Sequence, residues 1–376
     1  MKTGNSRTKA RPFARTNRFA HSSLGFVSAT AILTLAGIAF QHIAPAQSPP
    51  AAAALLTDYK WRSIGPASAG GRITEIKALD ADFRFAIVAS ASGGVWKTVN
   101  AGTTWTPIFD HYGASSIGAV GLFQKDPKII WVGTGEANNR NSVAWGDGIY
   151  KSTDGGESFH NVGLKDTFQI ARIVTHPSNP DIVYVAAIGN LWGFTGNRGL
   201  FQTTDGGKTW RKLTSGLPSD NKTGATDLVM DPANPDVLYA AFYERIRRPW
   251  RFDRGPNGGI FKTTDAGKTW TKLTDGLPNG PTGRIGLDVY RKNPRIVMAI
   301  VEHGFQCGGG RGAPPPSPEC SDLSKLGTGV YRSEDGGATW KFLNRYNNRP
   351  FYYSQIRINP SDDQLVYVLT TSFMRS

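Results

Sequence analysis

Cysteine is close to absent from this chain. Its 376 residues contain two, Cys307 and Cys320, both inside one Gly- and Pro-rich stretch. That excludes a multi-bridge disulfide framework and a four-cysteine zinc cluster. Histidine is scarce too, at six residues. His303 lies near the cysteine pair, but one histidine and two cysteines make an incomplete tetrahedral set, so no metal is expected. No motif asks for a cofactor, and none accompanies a nucleic-acid partner. Helical periodicity is missing beyond the N-terminal region, which excludes helix-rich architectures. There is one long apolar run, Leu24–Phe40.

That run belongs to a targeting segment. Lys2, Arg7, Lys9, Arg11, Arg15 and Arg18 form a basic leader, and Ala44-Pro45-Ala46 is a small-x-small cleavage site after the apolar run. The expectation is a signal peptide over 1–46 and an Ala/Pro-rich linker over 47–57. A retained membrane anchor competes with it, since about 17 apolar residues sit at the short limit for spanning. Cleavage leaves no stable membrane span. It also removes six basic residues and takes the net charge from +14 to about +8. That balance draws acidic surfaces weakly and does not demand nucleic acid. An exported chain meets an oxidising compartment, so a local Cys307–Cys320 disulfide is expected.

What the chain has in abundance is one eight-residue phrase. It reads TVNAGTTW (Thr98–Trp105), STDGGESF (Ser152–Phe159), TTDGGKTW (Thr203–Trp210), TTDAGKTW (Thr263–Trp270) and SEDGGATW (Ser333–Trp340). Successive copies start 54, 51, 60 and 70 residues apart, so one supersecondary unit is built repeatedly. Alternating runs such as GIYKS and TWRKL flank each copy and predict a β-hairpin with the phrase as its turn. Asn100, Asp154, Asp205, Asp265 and Asp335 bond nearby backbone N–H groups there, and glycine supplies positive φ. The closing aromatics, Trp105, Trp210, Trp270 and Trp340 with Phe159 as the exception, are expected to pack over the hairpin. Residues that recur once per unit are structural, not catalytic.

A second signal precedes each hairpin. NPDIVYVAA (Asn179–Ala187), NPDVLYAAF (Asn234–Phe242) and their equivalents are a turn and a nearly all-apolar strand, as for a strand buried on both faces. With the strand before it, each unit has four antiparallel strands, A to D. Four-stranded units at this period are the blades of an all-β propeller. The propeller is expected over 58–376, with about five and a half blades. Strands A and B of a sixth blade fall at Tyr352–Asn359 and Leu365–Thr370 without C and D. Two explanations stand open: part of a larger ring, of seven blades on one count, in which Tyr59–Pro66 is able to supply an extra strand to the final blade, or closure by strand exchange.

The phrases fall on one face and the B–C loops on the other. Inserted residues collect in the loops Thr134–Asp147, Ile188–Arg198, Tyr243–Asn257 and Glu302–Thr328, which marks the binding face. Their aromatic and Arg content suits a sugar, a carboxylate or a peptide. The candidate ligand-binding residues are Arg140, Trp145, Trp192, Arg198, Arg247, Trp250 and Arg251. Paired carboxylates are what glycoside hydrolysis needs, which makes Glu136, Glu244 and Glu302 weak catalytic candidates. Each is equally able to pair with a loop arginine such as Arg140 or Arg247.

The phrases resemble the Asp-box, or BNR repeat, shared by sialidases, xyloglucanase-type glycoside hydrolases, the sortilin ectodomain and photosystem II assembly factors. The span from Tyr59 resembles the sortilin-like propellers of long exported bacterial proteins often labelled glycosyl hydrolase. WRSIGPASAGGRI (Trp61–Ile73), Gly189–Trp210 and YRSEDGGATWKFLN (Tyr331–Asn344) carry that resemblance. Sialidases place an arginine in a Phe-Arg-Ile-Pro phrase, and Gly71-Arg72-Ile73-Thr74 lacks the Phe and Pro. Xyloglucanase-type enzymes place a catalytic Asp in Thr-Asp-Val-Gly-Gly, and the matching string Ser90-Ala91-Ser92-Gly93-Gly94 has Ala91 there. The leading expectation is therefore an exported, non-catalytic propeller binding protein, peptide or glycan. Hydrolysis of a polysaccharide is the alternative, and a purely structural module a third reading. Oligomeric state stays open.

Overall fold

The computed structural model describes residues 72–376 except 141–142, 195–196, 249–250, 253, 305–321 and 323, and only the backbone of Arg248, Arg251 and Phe252. The targeting segment, the linker and the cysteine pair lie outside the described residues. Among those described, no helix is long and apolar enough to cross a membrane.

The fold is an all-β propeller. Blade 1 is β1 (Ile73–Ala78), β2 (Ala86–Ser90), β3 (Val95–Thr98) and β4 (Thr106–Pro107). Blade 2 is β5 (Ile117–Leu122), β6 (Ile130–Thr134), β7 (Ile149–Ser152) and β8 (His160–Asn161). Blade 3 is β9 (Ile170–Thr175), β10 (Val183–Ala187), β11 (Gly199–Thr203) and β12 (Arg211–Leu213). Blade 4 holds β13 (Thr223–Met230), β14 (Leu238–Glu244), a small separate hairpin of β15 (Arg247–Arg248) and β16 (Arg251–Phe252), then β17 (Gly259–Thr263) and β18 (Thr271–Leu273). Blade 5 is β19 (Thr282–Val289), β20 (Val297–His303), β21 (Gly329–Ser333) and β22 (Lys341–Asn344). The last sheet is β23 (Gln355–Ile358), β24 (Val366–Leu369) and β25 (Phe373–Arg375). All neighbours pair antiparallel in sequence order.

The sixth sheet thus has three strands where the sequence predicts two. Its third strand follows a tight turn, Thr370 N–H to Ser372 O at 3.2 Å, and Phe373 stacks on Tyr367 at 5.4 Å.

The second strand of each of the five complete blades is buried on both faces over most of its length, as its apolar run requires. The core is accordingly divided into wedges, each between two neighbouring blades. One joins Ile87 and Val95 to Val120 and Val132, another joins Tyr184 and Leu213 to Leu228 and Trp270. Tyr239, Leu287 and Trp340 share a third.

The phrases do more than turn a hairpin. In Thr203–Trp210 the Thr203 hydroxyl donates to Asp205 Oδ1 at 2.7 Å and accepts from Gly207 N–H at 2.9 Å. Asp205 accepts in turn from Thr209 N–H and its hydroxyl at 2.9 and 2.6 Å. The same set recurs in the other Asp copies. These donors, led by the Thr209 hydroxyl, hold the Asp205 carboxyl well below its ordinary range. Asn100 fits because its Oδ1 accepts from Thr104 N–H while its Nδ2 donates to the Thr104 hydroxyl, reversing one bond. The fourth residue of a phrase then receives a bond from the preceding blade: Lys97 Nζ to Gly155 O, Lys151 Nζ to Gly206 O, Tyr184 Oη to Ala266 O and Tyr239 Oη to Gly336 O, all within 3.0 Å.

The closing aromatic lies over its own turn, as in Trp340 Nε1 donating to Gly337 O at 3.1 Å, and it also reaches the preceding blade. Trp210 Nε1 donates to Val162 O at 2.8 Å and meets Trp131 edge-on. Trp270 and Trp340 are buried against blades 3 and 4, and Phe159 against Phe109 and Tyr112. A hairpin surface is too small to bury an indole, whereas the wedge between blades is not. Trp105 has no described blade before it and stays 39% exposed.

Candidate functional site

Backbone bonds fix which connections share a rim. Each phrase bonds the A–B turn of its own blade, as in Gly206 N–H to Asp181 O and Gly336 N–H to Arg295 O. Each B–C loop instead starts on the residues just before strand A, as in Gly135 N–H to Ser116 O and Arg245 N–H to Lys222 O. The long loops therefore leave from the rim opposite the phrases.

The inner strands are tied by charge. Arg172 on β9 donates from Nη1 to Glu75 Oε1 on β1 at 2.5 Å and from Nε to Asp227 Oδ1 on β13 at 2.7 Å, all three buried. Glu75 also accepts from Val120 N–H, and Asp227 from Leu287 N–H, so each carboxylate is bonded to a neighbouring inner strand. Burial opposes ionisation of Glu75 and Asp227, yet Lys77 and Arg172 bring the first, and Arg172 and Arg357 the second, below the ordinary carboxyl value.

At the loop rim, residues 136–140 of blade 2 cross to blades 4 and 5. Buried Arg245 donates to Asn139 Oδ1, to Gln169 Oε1 at 2.8 Å and to Asn138 O at 3.3 Å. Arg284 Nη1 donates to Asn138 Oδ1 and Tyr352 O, both at 2.6 Å. Neither arginine has a carboxylate within ion-pair range among the described residues, and burial lowers both guanidinium pKa values. The segment thus acts as a plug pinned from two distant blades.

Beside the plug lies an open cavity of about 1020 Å³ between β1 and the sixth sheet. Its rim carries Arg72, Arg140, Arg247, Arg349, Tyr352 and Tyr353, and deeper residues include Glu75, Lys77 and Arg357. The expected candidates Arg140 and Arg247 meet here.

The three candidate carboxylates differ in state. Glu136 is fully buried and takes a two-pronged bond from Arg72, Nε to Oε1 at 3.1 Å and Nη2 to Oε2 at 2.7 Å, with Tyr352 Oη at 3.4 Å. Glu302 accepts from Arg254 at 2.5 and 3.0 Å and from Arg284 N–H at 2.9 Å. Both are paired with arginines, though not with the Arg140 or Arg247 that the sequence suggests. Glu244, equivalent to Glu136 by strand register, is partly exposed at the end of β14 beside Gly255. Its carboxylate has no ion-pair or hydrogen-bond partner among the described residues.

Arg198 corrects one expectation. It is buried, not ligand-facing, and donates to the carbonyls of Ile188 at 2.9 Å, Arg245 at 3.0 Å and Gly193 at 2.6 Å. Its role is to gather the backbone of two loops. Trp145 and Trp192, by contrast, are 54% and 47% exposed. Trp145 meets Phe168 edge-on at 5.6 Å and leaves a ring face to solvent. Trp250 and the side chain of Arg251, whose backbone is in β16, lie outside the described residues. Ala91 is buried against the base of strand A, its N–H bonded to Arg72 O at 2.8 Å. The residues missed from sequence are Arg72, Asn138, Asn139, Arg349 and Tyr352. All but Arg349 act through pairings 64 to 216 positions apart, which leave no local pattern.

The Sortilin-Vps10 family (sortilin, neurotensin receptor 3) matches residues 147–297. That stretch is sortilin-like. A xyloglucanase of Paenibacillus sp is 23% identical over 79% of this chain and 34% of its own length. An oligoxyloglucan-reducing end-specific xyloglucanase of Emericella nidulans is 27% identical over 69% of the chain and 34% of its own. The chain therefore spans about a third of the length of these curated relatives. Among solved structures, an ancestral GH74 enzyme superposes with a TM-score of 0.55 at 19% identity, over 82% of this chain and 36% of that one. The GH74 enzyme of Niastella koreensis gives 0.56 at 18%, over 79% and 43%. At those identities the structures establish the fold alone. The xyloglucanase relatives bear on the hydrolase alternative, and the sortilin-like match bears on neither reading of activity.

Proposed function

We propose that the protein acts on a polysaccharide as a glycoside hydrolase, and that this propeller holds the glycan on its loop rim. The observation that carries the reading is the pair of solvent-facing indoles, Trp145 and Trp192, on the B–C loops of adjacent blades 2 and 3. A flat, half-exposed indole on a rigid propeller is a stacking surface for a pyranose ring. The xyloglucanase relatives, similar along most of the chain, support the same substrate class.

Glu244 is the candidate proton-transfer group, because its carboxylate is the one of the three not engaged by an arginine. Glu136 and Glu302 position loops by accepting from Arg72 and Arg254. Hydrolysis needs two carboxylates on either side of the scissile bond. Ala91, buried where the resemblance implies an acid, supports placing the second carboxylate elsewhere in the protein, and a propeller that binds without cleaving is the second reading.

The test is reducing-sugar release from xyloglucan and other β-glucans by the full-length protein, with affinity electrophoresis on the same glycans. The expected result is binding and release, with E244Q losing release but keeping binding. Binding without release in the wild type leaves the second reading. The absence of both refutes the proposal.

A further inference from the structure

The cavity beside the plug is cationic beyond what a neutral glycan requires. Arg72, Lys77, Arg140, Arg247, Arg349 and Arg357 line it, against one lining carboxylate, Glu75. Two of these cations are accounted for within the fold. Arg72 is engaged by Glu136 at 2.7 Å, and Lys77 by Glu75 at 3.1 Å. Arg357 lies close enough to buried Asp227 and half-buried Asp288 to act on both carboxyls.

Arg140 and Arg349 are different. Neither has a carboxylate partner among the described residues. The Arg140 Nε is buried with no hydrogen-bond partner. Leaving a guanidinium N–H buried and unbonded is costly, so the fold leaves the Arg140 charge uncompensated where the residue lines the cavity. The Arg349 guanidinium lies 5.5 Å over the Phe351 ring and 6.0 Å over Tyr353, which fixes its plane without neutralising it. Tyr352 and Tyr353 meet edge-on at 4.6 Å on the same wall, so the cations are set beside aromatic surface. The rim draws on blades 1, 2 and 4 and the connection into the sixth sheet.

We propose that this cavity is a subsite for a carboxylated sugar, a uronic-acid residue within the bound polysaccharide, with Arg140 and Arg349 receiving its carboxylate and the tyrosines its ring. Arginine suits a planar carboxylate through paired N–H donors, and an adjacent aromatic suits a pyranose face. The proposal rests on reading this rim as a glycan-binding face, and narrows it to acidic chains.

The discriminating probe is one polymer in two charge states. Binding of the full-length protein to galacturonan oligomers is compared with binding to the same oligomers fully methyl-esterified, by titration calorimetry, with neutral xyloglucan and poly-glutamate alongside. The expected result is about tenfold tighter binding of the free acid, declining as salt rises. R140Q and R349Q each lose most of that preference while melting within about 2 °C of the wild type, and R140K restores part of it for Arg140. Equal binding of acid and ester overturns the uronate subsite and leaves the glycan reading standing. Poly-glutamate bound as tightly as the acid, with the same arginine dependence, overturns it in favour of an acidic peptide. No binding of any glycan removes both.

Discussion

Arg172→Met is the sharpest test of how the inner strands are held. The substitution keeps the volume and removes the cation between two buried carboxylates, Glu75 at 2.5 Å and Asp227 at 2.7 Å. Removing one partner of a buried pair generally costs about 3–5 kcal/mol, because the charge left behind has lost its solvent and its counterion. Here the remnants keep some support. Glu75 retains Lys77 at 3.1 Å and Val120 N–H at 3.0 Å, and Asp227 retains Leu228 and Leu287 N–H, both at 2.9 Å. The lower end, about 3 kcal/mol, is therefore expected. With an unfolding entropy of about 2.1 cal/mol/K per residue over roughly 300 residues, that is a fall in Tm of about 5 °C.

Differential scanning fluorimetry across pH gives a second readout with a definite sign. In the wild type the folded Glu75 and Asp227 carboxyls lie below their ordinary values, so their contribution is present above about pH 4 and fades as pH falls. Without Arg172, burial is opposed only by Lys77 at Glu75, by Arg357 at Asp227 and by the backbone N–H donors, so the penalty of the charged forms grows as pH rises above about 4. The gap between variant and wild type is expected to narrow below about pH 5. The triple variant R172M/E75L/D227L is expected to melt above R172M, since no buried charge remains. An R172M protein melting within about 1 °C of wild type, or a gap independent of pH, refutes this account.

Other consequences follow from single contacts. Thr203→Val leaves Gly207 N–H buried without its 2.9 Å acceptor and frees Asp205, for about 1–3 kcal/mol by urea denaturation. Trp145→Ala and Trp192→Ala are expected to leave stability within about 0.5 kcal/mol, because both side chains are half exposed, while weakening glycan binding roughly tenfold or more. Arg245→Met releases the plug, and limited proteolysis is expected to cut within 136–140 where the wild type resists. The phrase carboxyls are held low, Asp335 to about 2, so near-UV circular dichroism is expected to survive mild acid and to fade only as pH approaches that value.

The architecture was legible because the hydrogen bonds that define it are local. A hydroxyl, a carboxylate two residues on and a glycine two further on close one turn within the phrase, and the strand patterns on either side close the hairpin. The same locality hid the phrase's second function. That Lys151 Nζ reaches Gly206 O, 55 positions away, or that Trp210 completes the wedge of the blade before it, depends on how neighbouring blades are angled. Aromatic character marked those residues for burial without saying in which interface. The short β25 escaped notice because two or three residues pairing across a tight turn need no periodicity of their own.

The site divides along the same line. Loop length pointed to the correct rim, and Arg140 and Arg247 do converge there. Composition could not separate Arg140 from Arg198, one lining the cavity and the other buried under loop carbonyls, because their local surroundings are alike in glycine and asparagine. The carboxylates show the physical reason most clearly. Glu136 and Glu244 occupy matching register positions in blades 2 and 4, yet Arg72, just before the first inner strand, reaches one and not the other. Equivalence along the chain gives equal backbone position, and only the arrangement of blades around the axis decides which charge is quenched. Chemistry in a propeller is thus placed by departures from the repeat, and Glu244, Arg140 and Arg349 are the departures that the fold leaves unanswered on this rim.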